Sequence, residues 1–497
     1  MKALFQTWKI HLQTVLLLAG CTVFQPGRAQ TAAQDSIHRV QDGREIDRSQ
    51  WTGNPAAAVA WPQHGYAGVS ADYTSGDFRR PMQAAQRRSL GLHTGGLRRL
   101  GGWTVAGLFR YGRRYDSDVA WSGVYDPYEG NPFLWADSNR GDWERDEVQA
   151  RITLQAPSLG RITTGLSIAY GIGAGARRNE PKPFFRYRDI ALRPGLVYSL
   201  SRNKEIGLAG EVGLGKEENE LGFFSRDNVV LYRLRGFGTY TKTPFVTGER
   251  RREEIRWKAS AYYSYDWDRS GLLFTGFAEQ REDEVIEGLA SPQPTGYFTG
   301  ISWGGEILLR SGGAGKGGSA SLKGRVQDGY ADDVIFRAES ASWSRQEVSS
   351  QLRYWKEGRK RSWLMIVSPA FTYFNQTDLG TQTLWDVSQL SLTAEWRYRR
   401  QLSAAWHFFL APAAGYAWPV DTYFTSRSQN IVLRELTVPD YRFFATAYGT
   451  ADLRAGLEIQ SSPLASVHFI SLESHNRLAS NHFNRRNELA LHYTIFF

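Results

Sequence analysis

The last eleven residues of the chain alternate strictly between apolar and more polar side chains, and they end on two phenylalanines. The apolar row consists of Leu489, Leu491, Tyr493, Ile495 and Phe497. Successive side chains of a β-strand point to opposite faces, so this period of two predicts a strand with one apolar face. Terminal residues usually fray. A chain that ends in this way therefore requires a docked terminus.

The same alternation recurs from Tyr66 onward, in stretches of about ten residues. In one hairpin, for example, residues 150–156 and 162–170 flank a tight turn at 157–160. We count about 18 such strands, with 14 or 16 as alternatives, and closure of a bacterial barrel requires an even number. The predicted fold is an all-β, transmembrane, antiparallel up-and-down β-barrel over residues 63–497.

Short turns and long polar segments largely alternate along the chain, and this sorting is typical of a membrane barrel rather than of a soluble sandwich. If the terminal strand ends in the periplasm, the long segments are extracellular and the short turns periplasmic. We also expect the terminal strand to pair with residues 66–74 and close the barrel. The predicted long segments are 114–145, 173–187, 216–252, 282–296, 328–344, 418–445 and 475–486.

The C-terminal row resembles the signal by which the assembly machinery recognises bacterial outer-membrane barrels, with Tyr493, Ile495 and Phe497 in the matching positions. The resemblance implies a location in the Gram-negative outer membrane, with its lipid and the barrel assembly machinery as partners. The edge strand of a soluble sandwich is the alternative interpretation of this strand alone.

Composition agrees with a barrel. Aromatic residues make up 13% of the 497 residues, Gly numbers 50 and the mean hydropathy is −0.44. Beyond the N-terminus, no apolar run approaches the roughly 20 residues that a spanning helix needs. The formal charge of +10 is better explained by loop and lumen residues than by a nucleic-acid partner, which we do not expect.

The N-terminus has the pattern of an export signal. Two lysines precede an apolar stretch at residues 15–24, and small residues up to Ala29 offer a cleavage site, which predicts a signal peptide over residues 1–29. The alternative is a lipobox at residues 18–21 with Cys21 as the acylated residue. We favour simple cleavage because the segment stays apolar beyond Cys21.

Residues 30–62 are polar and mixed in charge, with poor alternation. We interpret them as a periplasmic N-terminal extension. The extension is either partly inserted into the barrel mouth or a disordered leader.

The opposite face of each predicted strand gives the candidate lining of the lumen. The nine cations named below and Arg193 together outnumber the six acids predicted on the same face. This excess indicates a mildly anion-favouring interior. The alternative, which we prefer to a defined binding site, is that the charges pair across strands and brace the wall. The lumen-facing candidates are Arg110, Arg151, Arg256, Lys258, Lys323, Arg325, Arg353, Arg397 and Arg454.

Residues 115–146 form the most distinctive segment outside the strands. They contain Tyr125-Asp126-Pro127-Tyr128, an Asn131-Pro132-Phe133 run that continues through Trp135-Ala136-Asp137-Ser138, and Gly141-Asp142-Trp143. This motif resembles a family of uncharacterised outer-membrane barrels from Bacteroidota, a resemblance that covers the mature chain and brings no activity with it.

This segment supplies four candidate gating or contact residues, Tyr125, Trp135, Asp137 and Trp143. It has three interpretations: a constriction folded inward, a contact site for a carbohydrate or protein through the two tryptophans, or a structural cap. We favour a cap with a gating role.

No catalytic constellation stands out. Ser474 and His475 are residue types of a lipase site, but neighbours in a strand face opposite sides, so we expect no enzyme. We expect no cofactor and no metal site, because the histidines are scattered without metal-ligand spacing. The sequence predicts a porin-like pore or uptake channel for small solutes. The alternative is a non-conducting accessory or scaffold barrel of a secretion or nutrient-uptake complex, with other outer-membrane proteins as partners.

Overall fold

A computed structural model describes residues 52–57, 63–179, 181–222, 230–244, 247–288, 290–313, 315–461, 466–480 and 484–497. The predicted signal peptide, Cys21 and most of the N-terminal extension lie outside the described residues.

Eighteen antiparallel strands form one closed sheet, which confirms the predicted fold and strand number. The strands that form the barrel wall are β1 His64–Gly76, β2 Gln86–Leu100, β3 Trp103–Val119, β5 Gly141–Gln155, β6 Ile162–Arg177, β7 Phe184–Ser201, β8 Lys204–Gly222, β11 Thr247–Trp267, β12 Ser270–Glu287, β13 Gln293–Gly312, β14 Lys316–Asp333, β15 Ala338–Glu357, β16 Arg361–Asp378, β17 Thr383–Gln401, β18 Trp406–Thr425, β19 Tyr448–Ser461, β20 Ser466–Ala479 and β21 Arg485–Phe496. Three short strands, β4 Trp135–Ala136, β9 Val230–Leu234 and β10 Tyr240–Pro244, form a separate sheet.

The first and last strands close the barrel as predicted. In their register Tyr66 lies opposite Phe496 and Gly76 lies opposite Arg486. Beyond the last pair, the backbones of Gly65 and Phe497 exchange two hydrogen bonds of 2.8 and 2.9 Å. The carboxyl terminus is therefore docked within the sheet.

The outer face of the barrel carries a belt of exposed apolar side chains. A soluble protein rarely exposes so much contiguous apolar surface, whereas a membrane barrel needs such a band against lipid. Among the described residues, no helix has the length and hydrophobicity to cross a membrane. Representative belt residues are Val69, Leu90, Ile152, Leu192, Leu208, Trp257, Trp303, Leu322, Leu352, Leu453 and Leu491.

The strands are longer than the sequence analysis expected, reaching 21 residues in β11. The segments 173–187, 282–296, 328–344 and 475–486, predicted as long loops, are largely strand, and β14 and β15 are joined only by residues 334–337. This prediction was wrong because, beyond the apolar belt, both faces of a strand are polar. The hydrophobic alternation then disappears although the backbone pairing continues.

The two ends of the barrel still differ. At one end, every connection has two to six residues. At the other end, which we call the long-loop end, four connections are substantial: 77–85, 120–140, 223–246 and 426–447. The candidate site lies at the long-loop end and is formed by these four connections.

Candidate functional site

The long-loop end of the barrel is closed by its own connections. The described parts of the four connections, residues 77–85, 120–140, 230–244 and 426–447, fold together, and we call them the plug. The small sheet within it pairs Trp135 with Arg233. The last segment contains a π-helical turn, Leu433–Thr437, that continues into helix α1, Val438–Phe444.

The plug has an apolar centre of its own. Three connections contribute to it, and the rings of Trp121 and Tyr232 lie 4.9 Å apart at its middle. Because residues distant in sequence bury one another here, the segments are stabilised as one unit. The buried members are Ala120, Trp121, Val124, Leu134, Ala136, Tyr232, Leu234, Val432 and Leu436.

Polar contacts hold the plug against the lumenal wall. The indole Nε1 of Trp135 donates to Glu287 at 2.7 Å, and the Asn131 amide donates to Asp283 at 2.8 Å. Arg250 donates to the backbone oxygen of Phe133 at 2.7 Å. All three contacts are buried. If one partner of a buried hydrogen bond is removed, no water can take its place and the remaining polar group is left unpaired. The three hydrogen bonds therefore stabilise one position of the plug.

Below these contacts, Glu129 reaches a group of charges on β11 and β12. Its carboxylate pairs with Arg252, and Arg281 lies 3.2 Å away. Arg281 also binds Asp283 at 2.6 Å, the same carboxylate that accepts from Asn131. The plug therefore completes a charge network in the wall, which would lose counter-charge if the plug moved away.

A further ion pair fixes the end of the first long connection. Arg177 approaches both oxygens of Asp137 at 2.8 Å, and both side chains are almost fully buried. Burial raises the pKa of the Asp137 carboxyl, and the nearby guanidinium offsets this only in part. The charged form of Asp137 therefore carries a net cost in the closed plug.

Arg80 joins two plug segments. It forms two hydrogen bonds of 2.6 Å with Asp440 of α1, and its guanidinium lies 3.6 Å from the centre of the Tyr128 ring. Burial lowers the pKa of Arg80, but the Asp440 carboxylate more than offsets this and raises the pKa overall. The Tyr128 hydroxyl in turn accepts from the Met82 amide at 2.7 Å.

The four candidate gating residues all point inward. Tyr125 stacks on Tyr187 with ring centres 4.4 Å apart, whereas Trp143 lies in β5 and packs on Phe185 at 5.5 Å. Only 1% of Trp135 and of Trp143 is exposed. In this arrangement neither tryptophan is accessible to an external partner.

A cavity of about 200 Å³ lies between the plug and the wall strands β14, β15 and β16. Its wall side includes Gln327, Trp343, Phe374 and Gln376. Its plug side includes Tyr128 and residues of α1. No sequence pattern indicated this cavity, because its lining comes from segments more than 300 positions apart.

The nine predicted lumen cations alternate with the outward apolar belt and face the lumen. Arg256, for example, lies near Asp189, Glu211 and Glu254, at 3.4, 3.5 and 2.7 Å. Lys258 pairs with Glu279 at 3.3 Å, and Arg454 pairs with Glu473 at 2.8 Å. Arg397 pairs with Glu395 on its own strand.

Several of these acids, including Asp189, Glu254, Glu279 and Glu473, were missed by the sequence analysis. They lie in the same alternating, lumen-facing rows as the predicted cations. The pairing corresponds to the bracing interpretation of the lumen charges, and it reduces the excess of free positive charge.

Residues 52–57 occupy the opposite, short-turn end of the lumen. The Asn54 amide donates to the backbone oxygens of Leu196 and Leu208 at 3.1 and 3.0 Å. Ala56 and Ala57 pack in one buried cluster with Val197, Tyr262, Leu273 and Leu308. This part of the extension is thus inserted into the barrel.

Two wall glycines make room for this segment. A Cβ on Gly165 would lie 2.5 Å from the carbonyl of Pro55, and a Cβ on Gly195 would lie 2.7 Å from the Pro55 ring. The two glycines face each other across β6 and β7. The wall is therefore shaped for the segment.

Residues 55–497 match a family described as a family of unknown function, DUF6850. The chain belongs to this family. Its matched region covers the barrel, the plug and the last three residues of the inserted segment, 55–57. A comparison with curated proteins finds no match to this DUF6850 chain.

This DUF6850 protein is distantly similar to several solved structures. BauA, the ferric preacinetobactin receptor of Acinetobacter baumannii, is 8% identical with a TM-score of 0.37 over 87% of this chain and 80% of its own. The ferric yersiniabactin receptor FyuA of Yersinia pestis is 8% identical, at 0.38 over 88% and 80%. A FadL homologue of Pseudomonas aeruginosa is 11% identical, at 0.31 over 89% and 91%.

The DUF6850 barrel separates Ser474 from His475. Ser474 lies opposite Leu453 and Leu489 of the outer belt. His475 faces the lumen, with Nδ1 3.4 Å from Asp452. Within the residues that the structure describes, no three metal-binding side chains are grouped to hold a metal ion.

Proposed function

We propose that this protein is an outer-membrane channel that admits a small solute and whose extracellular mouth is closed at rest by the plug. In this proposal the long-loop end faces outside and the short turns face the periplasm of a Gram-negative cell. A Bacteroidota source, implied by the sequence motif, stays a prediction.

The observation that carries the proposal is the chemistry of the plug's contacts with the wall. The plug is attached through hydrogen bonds and ion pairs, such as those of Asn131, Trp135 and Glu129. The plug also makes apolar contacts with the wall through Phe133. Water in an open lumen can satisfy the polar groups once the plug has moved, so the hydrogen bonds and ion pairs do not prevent opening. A barrel of 18 strands is wide enough for an aqueous path once the plug moves.

A non-conducting scaffold is the second candidate, and one observation favours it. Both ends of the lumen are occupied, one by the plug and the other by residues 52–57. In a barrel that does not conduct, segments packed inside the lumen would stabilise the wall. In that case the outer surfaces of the long-loop end would be the contact sites.

Liposome swelling with small neutral solutes of graded size separates the two candidates. The test variant is the double substitution Glu129→Gln and Asn131→Ala, which removes two contacts of the plug with the wall. The matched control is Glu284→Gln. Its side chain faces outward from β12, the wall strand that also carries Arg281 and Asp283. We expect slow swelling with wild type and control and faster swelling with the test variant. Folded protein that gives no swelling in any variant contradicts the channel and supports the scaffold.

A further inference from the structure

We infer that the cavity beneath the plug binds a neutral, hydroxyl-rich solute about the size of one sugar ring. The inference rests on the proposed function in that it names what the channel admits. It follows from the size of the cavity, from two carboxamides without partners, from the internal pairing of its charges and from its aromatic walls.

The cavity has the size and position of a binding site. Its volume of about 200 Å³ is below the roughly 300 Å³ at which pockets for drug-sized ligands begin, which fits a compact solute rather than a chain. It is lined by the wall and by all four plug segments, so a bound solute touches both. Occupancy of the cavity would therefore change the contacts between plug and wall.

The wall presents a buried amide that has no partner. Only 7% of Gln376 is exposed, and among the described residues nothing hydrogen-bonds to its side chain. A carboxamide offers two donors and two acceptor lone pairs, and buried polar groups are nearly always paired. Gln327 also lines the cavity and likewise has no side-chain partner in the described part of the chain. These two amides can bond to hydroxyl groups of a solute.

The charged residues around the cavity are already paired. Arg80 is held by Asp440, and Arg345 by Glu347. Glu129 is held by Arg252 and Arg281. A charged solute would have to displace one of these partners, at the cost of an unpaired charge. The cavity therefore favours a neutral solute.

The remaining surface of the cavity is largely apolar and includes several aromatic rings. The ring centre of Phe374 lies 5.3 Å from that of Phe444 in α1 and 6.3 Å from that of Trp343. Aromatic faces pack against apolar C–H surfaces, so a purely apolar solute would fit them but would leave both amides unpaired. A sugar ring carries C–H groups on its faces and hydroxyls on its edge, which matches both features.

Isothermal titration calorimetry on the full mature protein in detergent tests the inference, with D-glucose, D-galactose and N-acetyl-D-glucosamine as probes. We expect at least one probe to bind with a Kd of about 1 mM or below. Gln376→Leu and Gln327→Leu should each weaken this binding roughly tenfold, since each removes hydrogen bonds to the solute. The control Gln346→Leu changes an outward-facing glutamine of β15 and should bind as wild type does.

Failure of all three probes to bind overturns the inference, and so does binding that both cavity variants leave unchanged. Retained binding of the control together with weakened binding of either cavity variant supports it. Swelling of liposomes without saccharide binding rejects this inference alone. Saccharide binding in a barrel that admits no solute rejects the proposed channel and leaves the binding site standing.

Discussion

The indole Nε1 of Trp135 lies 2.7 Å from Oε1 of Glu287, and this bond joins the plug to the barrel wall across 152 positions of the chain. The other oxygen of the same carboxylate lies 3.3 Å from the buried Arg235 of the plug. One wall residue thus receives two plug segments. Its substitution is the most direct test of how the plug is held.

Glu287→Ala is expected to loosen the plug, because it removes the nearer of the two carboxylates beside the Arg235 cation and leaves the Trp135 N–H buried without an acceptor. Removing one member of a buried ion pair costs about 3 to 5 kcal/mol. We expect faster chymotrypsin cleavage at plug aromatics such as Trp121 and Phe133, which are buried in the closed arrangement. Glu284→Ala, an outward change on β12, should leave the cleavage rate near wild type. Equal rates in the two variants would show that Glu287 does not hold the plug.

Gly195→Val is expected to displace the inserted segment from the short-turn end. The new side chain begins 2.7 Å from the Pro55 ring, which is closer than a Cβ contact allows. Hydrogen exchange of a peptide that covers residues 52–57 should become faster. Gly171→Val is the matched control, since its Cβ meets nothing closer than 3.9 Å. Unchanged exchange in Gly195→Val would contradict the described position of the segment.

The pKa of Asp137 predicts the pH dependence of closure. Burial raises this pKa above its ordinary value in the closed plug, so the closed state binds the proton more tightly than an open one. Protonation of Asp137 therefore favours the closed plug. This contribution is fully present below about pH 4 and is lost as the pH rises through the raised pKa. Through this residue, the plug should therefore be held at least as firmly at pH 5 as at pH 7. Open probability in a planar bilayer measures this. An acid-induced opening that Asp137→Asn abolishes would contradict it.

Deletion of Phe497 is expected to reduce the amount of assembled barrel several-fold. The deletion removes two backbone hydrogen bonds to Gly65 at the closing seam and the last residue of the apolar row. Heat-modifiable migration of membrane fractions measures the assembled share. Phe336→Ser, at an exposed position in the connection between β14 and β15, should assemble normally. Normal assembly of the deletion would show that the terminal residue is dispensable.

Much of the barrel could be predicted from the sequence, because a strand with one face in lipid must alternate. The alternation that includes Leu489, Leu491 and Tyr493 predicted the closing strand. Its pairing with β1 was predictable because a closed barrel requires its last strand to pair with its first. The lengths of the strands could not be predicted in the same way. Beyond the belt, Arg186 and Glu220 face outward on β7 and β8, so no apolar row marks where those strands end.

The plug could not be predicted from the sequence. Its contacts join residues such as Asn131 and Asp283 that are far apart in sequence, and no local pattern shows that a loop turns inward. The aromatics and acids of residues 115–146 marked an unusual segment, but whether Trp135 faced outside or the lumen depended on its partner on β12. The cavity is less predictable still, since Gln376 becomes notable only by its burial without a partner.

Closure of the barrel by the plug can be measured as single-channel current in planar bilayers. Wild type would be compared with a variant in which residues 122–134 are replaced by a short Gly-Ser linker. We predict rare or no openings for wild type and stable, ohmic steps for the variant. A folded variant that stays silent, or a wild type that conducts as much as the variant, would show that the plug does not close the barrel.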